Sequence, residues 1–178
     1  FTQIDCEMSF VEMEDVMEVM ERLIQKVFKE TINVDVTLPL PRLTYKEAME
    51  RFGSDKPDLR FGFELKDLTE IAANCGFSVF EGAVAAGGSV RAINLNGYES
   101  QFTRKNITEL ENVAKLYGAK GLAWMKFTSE GISSPIAKFM TQEVIDRITA
   151  KMDAKEGDLL LFVADKHSIV FNALGHVR

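Results

Sequence analysis

The 178-residue sequence contains little cysteine, histidine, tryptophan or proline, and it has no excess of positive charge. Its two cysteines and two histidines fall at no spacing typical of a metal site, and so few cysteines predict reduced thiols in a cytoplasmic protein. The formal net charge of −6 argues against a dedicated nucleic-acid-binding protein. The longest apolar run, Leu159 to Ala164, is far shorter than the ~20 residues of a membrane span, so we expect no membrane partner.

What the sequence does contain is typical of a folded protein, with 46% hydrophobic and 27% charged residues. Its ends are abrupt. The first residue is Phe1 rather than Met, inside a strand-like pattern, and the sequence stops at Arg178 directly after a helical pattern. Because natural domains usually taper into polar termini, we expect a piece of a longer polypeptide.

The first eight residues alternate between apolar and polar side chains, which predicts a strand with one solvated face. Gln3, Asp5 and Glu7 share that face, where alternate residues stand ~7 Å apart. Such a row could bind an ammonium group or a metal ion, or it could simply be the wet side of an antiparallel sheet. The pattern alone leaves both interpretations open.

Helical spacing of apolar residues follows from Glu12 to about Thr31. Thr44 and Glu47 fit a capping box that begins a short helix, which Gly53 can end. A polar loop, Gly53–Arg60, comes next. Residues 1–60 carry a net charge of −5 and residues 61–178 a net charge of −1, so this loop is the predicted boundary between two parts. Its charged residues could be functional or could merely form turns.

The second part alternates predicted strands and helices, and no internal repeat is visible. The order ββαββα plus a further βα pair indicates an α+β fold in two layers, with helices on one face of the sheet. The predicted strands are Ser78–Val84, Val90–Leu95, Gly121–Thr128, Ile132–Met140 and Leu159–Ala164, and the predicted helices are Leu65–Asn74, Arg104–Tyr117, one that begins at Thr141, and Ile169–Val177.

Several stretches resemble a known family. The segment Phe1-Thr2-Gln3-Ile4-Asp5, followed by Glu7, resembles the second strand of motif 2 in bacterial-type aspartyl-tRNA synthetases of class II. The run from Arg51 to Arg60, with the sequence RFGSDKPDLR, is similar to a signature of the same enzymes, and the likeness continues through 116–123 and 134–139. It covers nearly the whole chain.

This resemblance implies that residues 1–60 are a remnant of the antiparallel catalytic sheet and helices of class II, and that residues 61–178 are the GAD insertion domain. By the family pattern, Phe1 is the aromatic residue that stacks on the adenine of ATP. Asp5 and Gln3 belong to the aspartate-binding site, with Asp5 close to the ammonium group of the substrate, and Glu7 lines or supports the site. A carboxylate opposite an ammonium group forms a charge-assisted hydrogen bond.

The implied parent enzyme is a homodimeric aminoacyl-tRNA ligase that uses ATP and Mg²⁺ to activate aspartate and then esterifies the 3′ end of tRNA(Asp). The motif 2 arginine expected to bind the ATP phosphate would precede Phe1, and motif 3 would follow Arg178. We therefore expect the chain alone to have no complete catalytic site, no activity, no bound cofactor or metal, and a monomeric state.

A second interpretation belongs to another functional class. GAD domains also occur in the B-type subunit of a glutamyl-tRNA amidotransferase, so the chain could be a noncatalytic module that binds tRNA or protein. The Phe1–Glu7 segment distinguishes the two, because a pure binding module has no reason to retain a motif 2 strand. The low charge of residues 61–178 predicts little nonspecific affinity for RNA, and we expect this part to position or contact neighbouring elements.

Overall fold

A computed structural model describes residues 1–178, which divide into the units Phe1–Leu43 and Thr44–Arg178. The first unit is built around helix α1, Met13–Ile32. The helix begins with a capping box in which the Glu12 N–H donates to Asp15 Oδ2 at 2.9 Å, and it ends at Asn33 with a left-handed φ of 52°. The helix predicted from Glu12 to about Thr31 is confirmed.

The chain after α1 is tied to the helix by polar contacts. Gln25 Nε2 donates to the Val36 carbonyl oxygen at 2.8 Å, and Glu21 Oε1 accepts the Leu40 N–H at 3.0 Å and contacts the Arg42 guanidinium group. Glu21 is the only buried residue of α1. The apolar side chains of the helix therefore stay partly or largely exposed, among them Val19, Ile24, Val27, Phe28 and Ile32.

The second unit contains a five-stranded antiparallel sheet and six α-helices. Its strands are β1 Lys66–Asp67, β2 Ser89–Leu95, β3 Ala123–Thr128, β4 Gly131–Ser133 and β5 Leu159–Asp165. Its helices are α2 Tyr45–Phe52, α3 Thr69–Ala72, α4 Ser78–Ala85, α5 Arg104–Leu116, α6 Gln142–Met152 and α7 His167–Val177, with short 3₁₀ turns at Glu99–Gln101 and Ala137–Phe139.

The strand order is β1-β2-β5-β3-β4, so β5 lies at the centre of the sheet. β2 pairs with β5 over seven residues, from Ser89 opposite Asp165 to Leu95 opposite Leu159. β5 is apolar from Leu159 to Ala164, and a strand without polar alternation is typical of a sheet that is covered on both faces.

Both faces of the sheet are indeed covered by helices. Leu160 and Phe162 point into a core shared with α3, α4 and α6. Leu159, Leu161 and Val163 point into a second core, which is shared with α5 and α7. The α+β class is confirmed, but the predicted two-layer arrangement with helices on one face is wrong, because the unit has three layers.

Three predicted elements of the second unit are wrong or shorter than expected. Ser78–Val84 forms α4 rather than a strand, which leaves the predicted ββαββα order incorrect. Leu65–Asn74 contains the short strand β1 and the single turn α3. The strand predicted for Ile132–Met140 is present only as the last two residues of β4, which ends at Ser133. The next residue, Ser134, turns away from the strand direction and donates its Oγ hydrogen to the Trp124 carbonyl oxygen at 2.7 Å.

The remaining elements of this unit match the sequence. Val90–Leu95, Gly121–Thr128 and Leu159–Ala164 contain strands, and helices follow the caps at Thr44, Thr103 and Thr141, whose side chains accept N–H groups. Gly53–Arg60 is an irregular loop, as expected. The division between the two structural units falls between Leu43 and Thr44, whereas the sequence predicts a domain boundary at Arg60. That assignment of domains stays a prediction.

Candidate functional site

The four residues expected to contact ATP and aspartate lie in a segment without secondary structure. Phe1, Gln3, Asp5 and Glu7 are all exposed, and their side chains make no hydrogen bond or ion pair within the chain. The strand predicted for Phe1–Met8 does not form, because a strand needs a neighbour for its backbone groups and residues 1–43 contain no other strand. The structure thus does not assemble these residues into a site, and their roles stay predictions.

The charged loop Gly53–Arg60 is ordered by its own ion pair. Arg60 Nε donates to both carboxylate oxygens of Asp58, at 2.9 and 3.0 Å, and the Arg60 N–H donates to Asp58 Oδ1 at 2.9 Å. Hydrogen bonds from the Arg60 side chain and backbone lower the pKa of Asp58 to about 2. The loop therefore keeps both charges at neutral pH.

Two glycines seat the start of this loop on helix α7. Gly53 follows α2 with a φ of 67°, and a β-carbon built on Gly53 would lie 2.9 Å from the Gly175 Cα atom. A β-carbon on Gly175 would lie 2.5 Å from the Gly53 carbonyl oxygen, which is closer than side chains normally approach. The signature sequence thus has a structural role, because its glycine permits direct backbone packing of α2 on α7.

Arg178 closes the other end of the same loop. Its guanidinium group donates to three backbone carbonyl oxygens, those of Asp58 at 2.9 Å, Phe61 at 3.0 Å and Gly62 at 3.0 Å. The guanidinium carbon also lies 4.8 Å from the ring centre of Phe52 and 4.4 Å from that of Phe61. Hydrogen bonds and cation–π contacts together hold the loop in one position.

Arg51 adds a second link between α2 and the chain that follows the loop. Its Nε and Nη2 atoms donate to the two carboxylate oxygens of Glu64, at 2.8 and 2.7 Å. The hydrogen bonds from Arg51 lower the pKa of Glu64. This bidentate ion pair joins the residues that precede and follow the Gly53–Arg60 loop and so limits the distance between its two ends.

A further arginine, which sequence reasoning missed, lies in the sheet beneath α7. Arg91 on β2 is 7% exposed, and its Nη2 donates to Asp67 Oδ2 at 2.8 Å. Its Nη1 donates to the Glu50 carbonyl oxygen at 3.2 Å, and its guanidinium carbon lies 4.9 Å from the ring centre of Phe171. One side chain therefore joins β1, β2, α2 and α7. An arginine in the otherwise largely apolar run of β2 was the available signal.

Burial and hydrogen bonding have opposite effects on the pKa of Asp67, the carboxylate partner of Arg91. Burial raises the pKa of this carboxyl group, but hydrogen bonds from the Thr69 side chain and backbone, and the positive charge of Arg91, lower the pKa by more. The carboxylate thus stays charged beside the guanidinium group. The pair stabilises the junction of β1 and β2.

Asp158 forms a second buried polar cluster, at the start of β5. Its carboxylate accepts hydrogen bonds from Asn94 Nδ2 at 3.0 Å, Asn96 Nδ2 at 3.1 Å, the Gly97 N–H at 2.8 Å and the Lys155 N–H at 3.1 Å. Burial raises the pKa of Asp158, and these hydrogen bonds lower it below its ordinary value. The cluster fixes the turns after β2 and before β5.

The structure contains no group of three or more histidine, cysteine or acidic side chains placed to hold a metal ion. None of its helices combines the length and the apolar character needed to cross a membrane. The polar clusters described above position the loop and the sheet, and within them Arg91 Nε and Asn94 Oδ1 are buried without a hydrogen-bond partner.

Comparison with known proteins gives this architecture a family. The family model described as the GAD domain matches residues 80–174, which include β2 to β5, α5, α6 and most of α7. The chain belongs to the GAD domain family. Arg91 and Asp158 lie inside the matched region, whereas Asp67, Gly175 and Arg178 lie outside it.

Relatives of this GAD-domain chain are similar over its full length. An aspartate–tRNA ligase from Clostridium botulinum is 56% identical over 178 residues, and an aspartate–tRNA(Asp/Asn) ligase from Lachnoclostridium phytofermentans is 54% identical over 179 residues. A further aspartate–tRNA(Asp/Asn) ligase, from Caldanaerobacter subterraneus, is also 54% identical. The matches cover 100% of this chain and 30% of the length of each of these relatives.

Proposed function

We propose that the chain is the part of an aspartate–tRNA ligase that contributes one strand of the active site and the GAD insertion domain. The observation that carries this proposal is the extent of the similarity. It begins at Phe1, whereas the GAD match begins at residue 80, so the first 79 residues also resemble the ligases. A free-standing GAD module would not require this upstream segment, and the ligase is therefore favoured over the amidotransferase-type module.

In this proposal the parent enzyme activates aspartate with ATP and Mg²⁺ and transfers it to the 3′ end of tRNA(Asp), as a cytoplasmic homodimer. Residues 1–60 belong to its catalytic domain and residues 61–178 to the insertion domain. Asp5 accepts a hydrogen bond from the ammonium group of aspartate, and Gln3 contacts the same substrate from the same face. Phe1 stacks on adenine, and Glu7 supports this row.

The first unit has the properties expected of a part that is completed by other segments. Its alternating N-terminal residues have no neighbouring strand, and α1 leaves Ile24, Val27 and Phe28 about 40% exposed. Since the relatives are more than three times as long, the remaining sequence of the parent would supply the paired strand and cover this apolar face. Pairing would place Gln3, Asp5 and Glu7 on one face, as the active site requires.

The residues of this chain do not by themselves fit ATP and Mg²⁺. No arginine occurs among residues 1–12 to bind a phosphate, and no group of three metal-ligating side chains exists in the chain. Adenylate formation needs positive charge against the phosphate in the transition state. We therefore expect the isolated chain to be inactive and monomeric, and we assign it no catalytic step of its own.

The insertion domain acts, in this proposal, as a rigid body that positions the Gly53–Arg60 loop, which we call the signature loop. Gly53 packs on Gly175, Arg178 holds the loop carbonyl groups, and Arg91 links α2 to the sheet. Movement of the sheet and α7 would therefore move α2 and the loop as well. A domain placed between two parts of a catalytic domain can thereby fix the path of the connecting chain.

The roles of the N-terminal residues are tested in a chimeric enzyme, in which residues 1–178 replace the corresponding segment of the Clostridium botulinum ligase. Asp5→Asn should raise the KM for aspartate in pyrophosphate exchange by more than about tenfold, because a charge-assisted hydrogen bond is lost. The KM for ATP should change little. Asp35→Asn, which removes an exposed carboxylate paired with Lys29, is the matched control and should leave both values unchanged.

Two results would contradict the proposal. An equal effect of Asp5→Asn and Asp35→Asn on the KM for aspartate would remove Asp5 from the site. Pyrophosphate exchange by the isolated 178-residue chain above a blank without protein would show that the chain needs no other segment of the ligase.

A further inference from the structure

An apolar cavity of about 440 Å³ opens beside helix α4, away from the residues discussed above. Its floor consists of side chains that belong to the core of the sheet, namely Phe80, Leu122, Ile136 and Phe162. A second cavity, of about 330 Å³, continues along α4 and shares Val79, Lys120 and Ala164 with the first. The two cavities adjoin at these residues, and we call them together the α4 trough.

The rim of the α4 trough carries exposed apolar side chains. Val79 lines both cavities and is 55% exposed. Phe139 is 50% exposed and stacks on Phe77 of the wall, with 5.5 Å between the ring centres. Exposed apolar residues continuous with an apolar cavity are typical of a surface that binds another molecule.

Three lysines around the trough have no acidic partner. Lys120 lines both cavities, Lys166 lines the second, and the Lys138 ammonium group lies 5.0 Å from the ring centre of Phe139. None of the three forms an ion pair, although five other lysines of the chain do so. In a chain with a net charge of −6, this is a local concentration of free positive charge.

The two acidic side chains of the trough do not neutralise all of these lysines. Glu111 is paired with Lys115 at 2.7 Å. Asp165 accepts the Lys166 backbone N–H at 2.8 Å through one oxygen, and its other carboxylate oxygen is buried. Asp165 therefore offsets one of the three lysine charges, and the charge presented to a bound molecule is positive because of the other two.

We propose that the α4 trough binds an acidic amphipathic helix of another protein chain. Two adjoining cavities with apolar linings suit a row of side chains at positions i, i+3, i+4 and i+7, and the free lysines suit carboxylates that flank the row. A compact small molecule would fill only one end of the trough. This site goes beyond the ligase reaction and does not depend on it.

The test uses the ¹⁵N-labelled 178-residue chain and a synthetic helical peptide of about 16 residues, with leucines at helical spacing and glutamates beside them. The peptide should shift the backbone amide signals of Phe77–Ala86, Leu122 and Ala164. A peptide with lysine in place of every glutamate should bind at least about tenfold more weakly, because attraction at the rim becomes repulsion.

Variants of the chain distinguish an effect of the lysines at the rim on peptide binding from an effect of the net charge of the chain. The double variant Lys120→Glu and Lys138→Glu should weaken binding of the acidic peptide at least about tenfold, since two attractive pairs become repulsive. Lys56→Glu combined with Lys151→Glu makes an equal charge change at two exposed residues outside the trough and should alter binding by less than about twofold.

Several results would overturn the proposal. These are equal binding of the acidic and basic peptides, shifts at a different surface, or equal effects of the trough variant and the Lys56 and Lys151 variant. Decanoate producing the same shifts at lower concentration than the peptide would assign the trough to a small amphiphile. Dimerisation of the free chain that the trough variant abolishes would assign the trough to a second copy.

Discussion

Gly53 and Gly175 lie in backbone contact, because a β-carbon on Gly175 would come within 2.5 Å of the Gly53 carbonyl oxygen. This contact joins the first residue of the signature loop to the last helix of the GAD domain. Glycine within a helix normally costs stability relative to alanine, so its presence at position 175 reflects the space available there.

Replacing Gly175 with Ala should destabilise the chain by about 1–3 kcal/mol, because the added methyl group forces α2 away from α7. Gly82→Ala on α4 is the matched control. A β-carbon at Gly82 meets nothing within 4 Å, and this variant should stabilise by about 0.5–1 kcal/mol. Urea unfolding measures both values. A stabilising effect at Gly175 would refute the close packing of the two helices.

Arg178→Gln should lower the free energy of unfolding by about 1–2 kcal/mol, because three hydrogen bonds to loop carbonyl groups and two aromatic contacts are lost. Arg178→Lys should recover only part of this loss, since an ammonium group cannot reproduce the planar fork. Arg147→Gln on the exposed side of α6 is the control, with an expected effect within about 0.5 kcal/mol. Equal effects at both positions would show that Arg178 contributes only charge.

The elements that the sequence predicts best are those whose signals are local. Three elements could be located without knowledge of their neighbours: α1 by its helical apolar spacing, α2 by its capping box, and β5 by its apolar run Leu159–Ala164. The two-layer arrangement is wrong, because one apolar run can be covered by helices on one side or on two.

The wrong assignments have a common physical origin. Ser78–Val84 is short and apolar, and such a run is compatible with either a helix or a strand. Phe1–Met8 alternates as a strand does, but a strand forms only beside a partner, and residues 1–43 contain no other strand. Arg91 and Arg178 were missed because their partners lie far away in the sequence, at Asp67 and at the Gly53–Gly62 region.

The Asp58–Arg60 pair predicts a pH dependence at the acidic end. Arg60 holds the pKa of Asp58 at about 2, below the ordinary 3.8. Because the pKa is lower in the folded state, the pair stabilises fully above about pH 4, and this stabilisation is lost as the pH falls toward 2. Arg60→Gln should move the pKa of Asp58 back toward its ordinary value, as followed by carboxyl ¹³C shifts. An unchanged pKa would contradict the pairing, and Arg147→Gln is the control.

Asp158→Asn should destabilise the chain by about 2–3 kcal/mol, because an amide group brings its own N–H donors to a place where four N–H groups already converge on a carboxylate. Asp146→Asn, at an exposed carboxylate on α6, should change stability by less than about 0.5 kcal/mol. Thermal unfolding at neutral pH compares the two. Equal stabilities would mean that the buried carboxylate has no stabilising role.

The central claim is that this chain is a working part of an aspartate–tRNA ligase. Aspartate-dependent pyrophosphate exchange by the chimeric Clostridium botulinum enzyme, with its counterpart segment replaced by this chain, tests the claim most directly. We expect activity within about tenfold of the parent enzyme, since the two segments are 56% identical and, in our proposal, this chain supplies the aspartate-binding row. A folded chimera that binds ATP but shows no exchange with aspartate would contradict the claim.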